Sequence, residues 1–152
     1  TRMNLYKLHS EPESMEYYGF HHDTVPALFW NMYKHDPNEL KKRENVIAKD
    51  PEYAYMYATT ILKDRFLLGE EAISKDFVYA HWYAREILCG RFPLGEEAIA
   101  KDPIHAYHYA KDILHDRFPL GEEAIARVPM YAKCYAKEVI KGPWAINGKT
   151  YE

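Results

Sequence analysis

Eight histidines in 152 residues are the first side chains to suggest chemistry. His105, His108 and Asp112 stand at i, i+3 and i+7, with His115 close behind. On a helix that spacing gathers two imidazoles and a carboxylate on one side, where they could face a metal ion. It is not a zinc spacing, and no cysteine pair joins it. His21-His22-Asp23 forms a second cluster, ahead of an apolar stretch that reads as a helix, and a loop with a helix cap accounts for it. The acidic pairs Glu70-Glu71, Glu96-Glu97 and Glu122-Glu123 could serve acid–base catalysis. They recur, whereas an active site is needed once, so they read as helix starts, where the helix dipole favours negative charge. Cys89 and Cys134 have no spacing that nominates a nucleophile, and no glycine-rich phosphate loop is present. The expectation is therefore a protein with no catalytic residue, no metal and no cofactor.

The bulk composition narrows the remaining classes. A net charge of −3 is too negative for a surface that grips phosphate backbones, so no nucleic acid is expected as a partner. No apolar run approaches the roughly 18 residues of a membrane span, and no signal-peptide pattern is visible. Two cysteines at unrelated positions read as free thiols in a reducing cytoplasm. Fourteen tyrosines are far more than usual and imply a repeated packing role for aromatic rings.

The elements that must position these side chains are copies of one unit. Gly-Glu-Glu-Ala-Ile occurs at 69–73, 95–99 and 121–125, always 26 residues apart. Segments 69–94 and 95–120 agree at 16 of 26 positions. With a more divergent copy before them and a fourth after, the units are 43–68, 69–94, 95–120 and 121–146. Each holds a short helix and a longer one. Asp50-Pro51 and Asp102-Pro103 supply an N-cap aspartate and a first-turn proline for the longer helix, and Asp76 keeps the cap alone. The pattern Ala80, Tyr83, Ala84, Ile87, Leu88 recurs in every copy, and its 3-1-3-1 spacing places all five on one inward face. Ile47, Ile73, Ile99 and Ile125 of the short helices should also point inward. Arg65, Arg91 and Arg117 are placed to bond terminal carbonyls or the glutamates of a neighbouring unit.

Such units cannot bury their apolar faces alone, so they must stack. The fold predicted is an all-α small solenoid, or superhelix, of four helix–turn–helix repeats in a single domain. Residues 1–42 form an irregular helical N-terminal cap, with a helix starting at 10–13, an apolar helix over 24–34, and one from Asp36-Pro37 through Lys42. At the other end Trp144 falls on the phenylalanine position and seals the last copy, and 147–152 is a polar C-terminal tail expected to fray. No strand is predicted beyond a short pair near 3–8.

The unit Gly-Glu-Glu-Ala-Ile-Ala-Lys-Asp-Pro, continued by Tyr-Ala-Lys-Asp-Ile-Leu and Arg-Phe-Pro-Leu, resembles short tandem helical repeats of tailed bacteriophages and related marine viruses. The resemblance covers residues 43–144. It carries no activity and no functional residues. It implies a phage origin and action in a host cytoplasm.

A surface that differs between copies is what remains for function. Tyr55 and Met56 become His81 and Trp82, then Tyr107 and His108, then Lys133 and Cys134. A constant frame carrying a variable aromatic row suits a non-enzymatic module that binds a protein partner, a host factor included, through Tyr55, Met56, His81, Trp82, Tyr107 and His108. The alternative is a self-associating structural or assembly protein, a homo-oligomer. A metal protein or enzyme built on His105 and His108 stands third.

Overall fold

The computed structural model describes residues 36–152, and the chain divides into two compact units, 1–73 and 74–152. The predicted helix at 10–13, the apolar helix over 24–34, the strand pair near 3–8 and the His21-His22-Asp23 loop lie outside the described residues. The architecture is an all-α repeat fold, closed at its C-terminal end by one small strand pair.

In the first unit, α1 (Pro37–Lys42) starts behind Asp36, whose carboxylate accepts from the Asn38 N–H at 3.0 Å. It stops at Arg43, as the predicted end at Lys42 requires, and α2 (Glu44–Ile47) follows after that one residue. Asp50 caps α3 (Pro51–Tyr57) by accepting from the N–H groups of Glu52 and Tyr53. Leu40 and Ile47 are fully buried, and the rings of Tyr57 and Phe66 meet at 4.9 Å. A tight turn, Leu67–Gly69, leads into α4 (Glu70–Ser74).

The second unit begins at Ser74 and repeats that plan. Its longer helices are α5 (Phe77–Tyr83), α7 (Pro103–His108) and α9 (Pro129–Tyr135). Its short ones are α6 (Glu96–Ile99) and α8 (Glu122–Ala126), each entered through a turn, Pro93–Gly95 or Pro119–Gly121. Asp76 and Asp102 cap α5 and α7 as predicted, while Val128 leaves α9 without a side-chain cap. Within this unit α7 lies against α5 on one side and α9 on the other.

Each longer helix changes winding half-way. Ala84–Leu88, Tyr109–Leu114 and Ala136–Ile140, like Ala58–Leu62 in the first unit, are π-helical. The second alanine of each copy accepts the closing bonds. Ala84 receives the N–H of Cys89, five residues on, and of Gly90 at 3.1 Å. The residue that ends each segment, Lys63, Cys89, His115 or Lys141, is left-handed, with φ between 50° and 61°. A non-glycine residue there costs on the order of 1 kcal/mol, and all four copies accept it.

The inward face is largely the predicted one. Ala80, Tyr83, Ala84, Ala106, Tyr109, Ala110, Ala132, Tyr135 and Ala136 are fully buried, as are Ile73, Ile99 and Ile125. The aliphatic pairs are not. Ile87-Leu88, Ile113-Leu114 and Val139-Ile140 are only half-buried, and so are Ile61-Leu62. The wider π winding rotates them off the face that a 3.6-residue period assigns.

The turn glycines do a different task from the one usual in turns. Gly95 has φ −92°, which any residue adopts. A Cβ on it would lie 2.7 Å from the Phe92 ring and 2.8 Å from the Ala80 Cβ. Gly121 meets Phe118 and Ala106 in the same way. The first alanine of the longer helix and the turn glycine thus let two backbones touch.

The expected fraying of 147–152 is overturned. Trp144–Ile146 (β1) pairs antiparallel with Lys149–Tyr151 (β2), joined by Asn147 and Gly148 at φ 52° and 75°. Two successive positive φ values fit a two-residue hairpin turn, and Asn-Gly is the pair that tolerates them best. Trp144 is 3% exposed and stacks on Tyr135 at 4.8 Å, and Tyr151 covers it from the partner strand at 5.9 Å. Asn147 also donates to Glu123 at 3.1 Å, which fastens the hairpin to α8.

Candidate functional site

The recurring glutamates and arginines build the seam between copies. Arg91 grips Glu96 through two nitrogens, at 2.7 and 3.1 Å. The Tyr109 hydroxyl donates to the same carboxylate at 2.7 Å and accepts from the Phe92 N–H at 3.0 Å. Arg117, Glu122, Tyr135 and the Phe118 N–H repeat the arrangement. In the first unit Tyr57 donates to Glu44 at 2.7 Å, and Arg65 grips Glu70. Burial alone would raise the Glu96 pKa. The bonds from Arg91 and Tyr109 outweigh it and hold the carboxyl below its ordinary range. Burial and the same carboxylate push the Tyr109 phenol up. A carboxylate held ionised and fully bonded is a structural anchor and a poor proton carrier. The second glutamates, Glu71, Glu97 and Glu123, are exposed.

The variable row divides into two. Tyr55, His81 and Tyr107, expected at the surface, are buried, at 8%, 4% and 4% exposure. The reason is geometric. A helix in an array has neighbours on both flanks as well as a core beneath it, and this position sits on a flank, about 100° round from the first alanine. Within the second unit His81 of α5 meets His105 of α7, and Tyr107 of α7 meets Tyr131 of α9 with ring centroids 5.6 Å apart. The flank contacts have a sequence signal, a ring at one position and a ring 24 residues on. The single-face reading passed over it.

The second half of the row is half-buried in every copy: Met56, Trp82, His108 and Cys134. Trp82 stands edge-on to Tyr79 at 5.8 Å. His108 packs by Tyr107 at 4.9 Å and reaches Asp112 at 3.5 Å. Charges border the row. Arg85 pairs with Glu86 at 2.9 Å, Lys111 with Glu138 at 3.1 Å, and Tyr107 donates to Glu138. A separate apolar row stands out on the turns, where Leu68, Leu94 and Leu120 are 57%, 58% and 59% exposed at one repeat position.

His105 and His108 do not converge. His105 turns to His81 and His108 to Asp112, so the metal arrangement drawn from their spacing is not what the side chains make. Among the described residues no group of three or more His, Cys, Asp or Glu is placed to hold a metal ion. Cys89 is exposed and Cys134 half-buried, both as free thiols. No described helix is long and apolar enough to cross a membrane. Comparison with family models, with curated proteins and with solved structures finds no match.

Proposed function

We propose that the protein is a non-enzymatic interaction module that binds a protein partner through the outer positions Trp82 and His108 of the second unit. One observation carries the reading. A single helix position is half-buried in each copy and holds a different residue in each, above an Ala-Tyr-Ala layer that never changes. Constancy below and variety above is the arrangement by which stacked repeats fix unlike side chains in one line for a partner to cover. Trp82 offers the largest apolar area of the row and is its natural anchor. The resemblance of the repeat to phage sequences puts a host cytoplasmic protein first among partners to try.

The test is the double variant Trp82→Ala, His108→Ala, used as bait against host lysate beside the unaltered chain. Neither side chain is fully buried, so folding should be retained. Affinity for a captured protein should fall by about 2 kcal/mol or more if Trp82 is the hot spot. Capture at undiminished affinity would remove the row from consideration. Should the chain's mass rise with concentration and the double variant abolish that rise, the occupant is a second copy and the self-associating reading replaces this one.

A further inference from the structure

His81 and His105 meet in a way that neither the core nor the outer row requires. Their Nδ1 atoms are 2.8 Å apart and the rings lie edge to face, with centroids 5.0 Å apart. Phe77 packs on His105 at 5.3 Å and Tyr109 on His81 at 6.4 Å. His81 is 4% exposed, and its Nε2 is buried with no hydrogen-bond partner. We infer that this contact is an acid-sensitive joint: it holds α5 against α7 while both imidazoles are neutral, and it parts when the pair takes up protons.

The geometry dictates this through proton count. Two Nδ1 atoms at that distance share one hydrogen, so one ring donates and the other accepts. A first extra proton keeps a shared hydrogen but leaves no ring free of cost. On His81 it sits at Nε2, where no acceptor waits. On His105 it forces that ring to donate, and His81 must then carry its own hydrogen at the same orphaned Nε2. A second proton sets two N–H groups head to head at 2.8 Å, and the contact cannot survive. The surrounding charges divide. Arg85, on the π-helical end of α5, and His108 on α7 oppose protonation. Asp76 at the start of α5, Asp102 at the start of α7 and Asp112 beyond it favour it. Burial, the largest influence on both rings, settles the balance toward neutral imidazoles, with His81 pushed down to about 4 and His105 lowered as well. An unfolded histidine titrates near 6.5. The folded chain therefore binds fewer protons than the unfolded one between those values, and stability is lost as pH falls through that window.

The companion flank contact joins two phenols, Tyr107 with Tyr131, with His108 packed beside both rings. The proper control is therefore the double variant His81→Tyr, His105→Tyr, which copies it, with His108→Gln to account for a nearby histidine outside the pair. Melts of all three chains at pH 7.5 and pH 5.0 stay above the range where ordinary carboxylates titrate. The unaltered chain and His108→Gln should lose on the order of 5 °C in Tm more than the double variant does. Hydrogen exchange corrected for intrinsic rate should quicken first in α5 and α7. An equal Tm loss in the unaltered chain and the double variant overturns the inference, as does a loss removed by His108→Gln. If the double variant does not fold, nitrogen-15 imidazole spectra of the unaltered chain decide. One Nδ1–H facing one bare Nδ1, both rings still neutral at pH 6, supports the joint, and either ring titrating at or above 6.5 overturns it.

Discussion

The two flank contacts of the second unit occupy the same repeat positions and differ in almost everything else. Between α5 and α7 two imidazoles share one hydrogen, and a nitrogen is left bare. Between α7 and α9 two phenol rings lie tilted, and Tyr107 is tied outward to Glu138, which also pairs with Lys111. Yet the layer beneath is the same in both, down to the bonds among Arg91, Glu96 and Tyr109 and their counterparts Arg117, Glu122 and Tyr135. The frame asks a flank only for a flat ring of suitable size. What that ring does with protons is left open, so one joint can respond to acid while its neighbour does not.

Breaking the end tests whether the joints are independent. Trp144→Ala removes the ring that seals the last copy against Tyr135 and should cost about 3–5 kcal/mol, as buried tryptophan truncations do. Exchange should rise in α9 well before α5. A loss spread evenly over both would mean that the joints open together, and an unchanged melt would mean that the end is closed by something other than Trp144. Acidification comes next in size. With burial pushing His81 down to about 4 against about 6.5 unfolded, stability should fall by on the order of 2 kcal/mol by pH 5. Tyr109→Phe and Tyr135→Phe sharpen the sameness of the frame. Each strips one bond from a buried carboxylate and leaves a backbone N–H, of Phe92 or Phe118, without its acceptor. Each should cost about 1–3 kcal/mol in denaturant unfolding, and by nearly equal amounts. A clear inequality would show that the seams differ below the flanks as well. The smallest effect belongs to Lys111→Ala. Its pair with Glu138 is exposed on both sides and should contribute little to stability. A larger loss, fading with added salt, would make the outer charges part of the joint.

What could be read in the sequence is what the repetition exposes. Ala80, Tyr83 and Ala84 return three more times at one spacing, and one helical face accounts for them. The Asp caps and the inward isoleucines followed from the same periodicity. The aliphatic pair misled because a π turn has no compositional mark: Ile87 and Leu88 look like any core pair until the winding widens beneath them. His81 and Tyr107 misled because a single-helix reading knows one buried face, while a helix in an array has three. The hairpin was legible and missed. Asn147-Gly148 is the strongest local sign of such a turn, but it follows the last repeat and is flanked on one side by the polar Lys149-Thr150.

The seam between copies has a consequence for how such a chain can grow. At both junctions within the second unit one copy ends in a socket, an arginine and a phenylalanine N–H, and the next begins with the plug, a glutamate and a tyrosine hydroxyl. Because the copy 95–120 carries both halves, duplicating its 26 residues yields a matching junction on each side, with no new surface to invent. The fourth copy departs from this. Pro143 stands where the arginine would be and Trp144 where the phenylalanine would be, and the hairpin carries Trp144 onto Tyr135. Residues 143–151 thus close the fourth copy with a hairpin in place of the recurring arginine and phenylalanine.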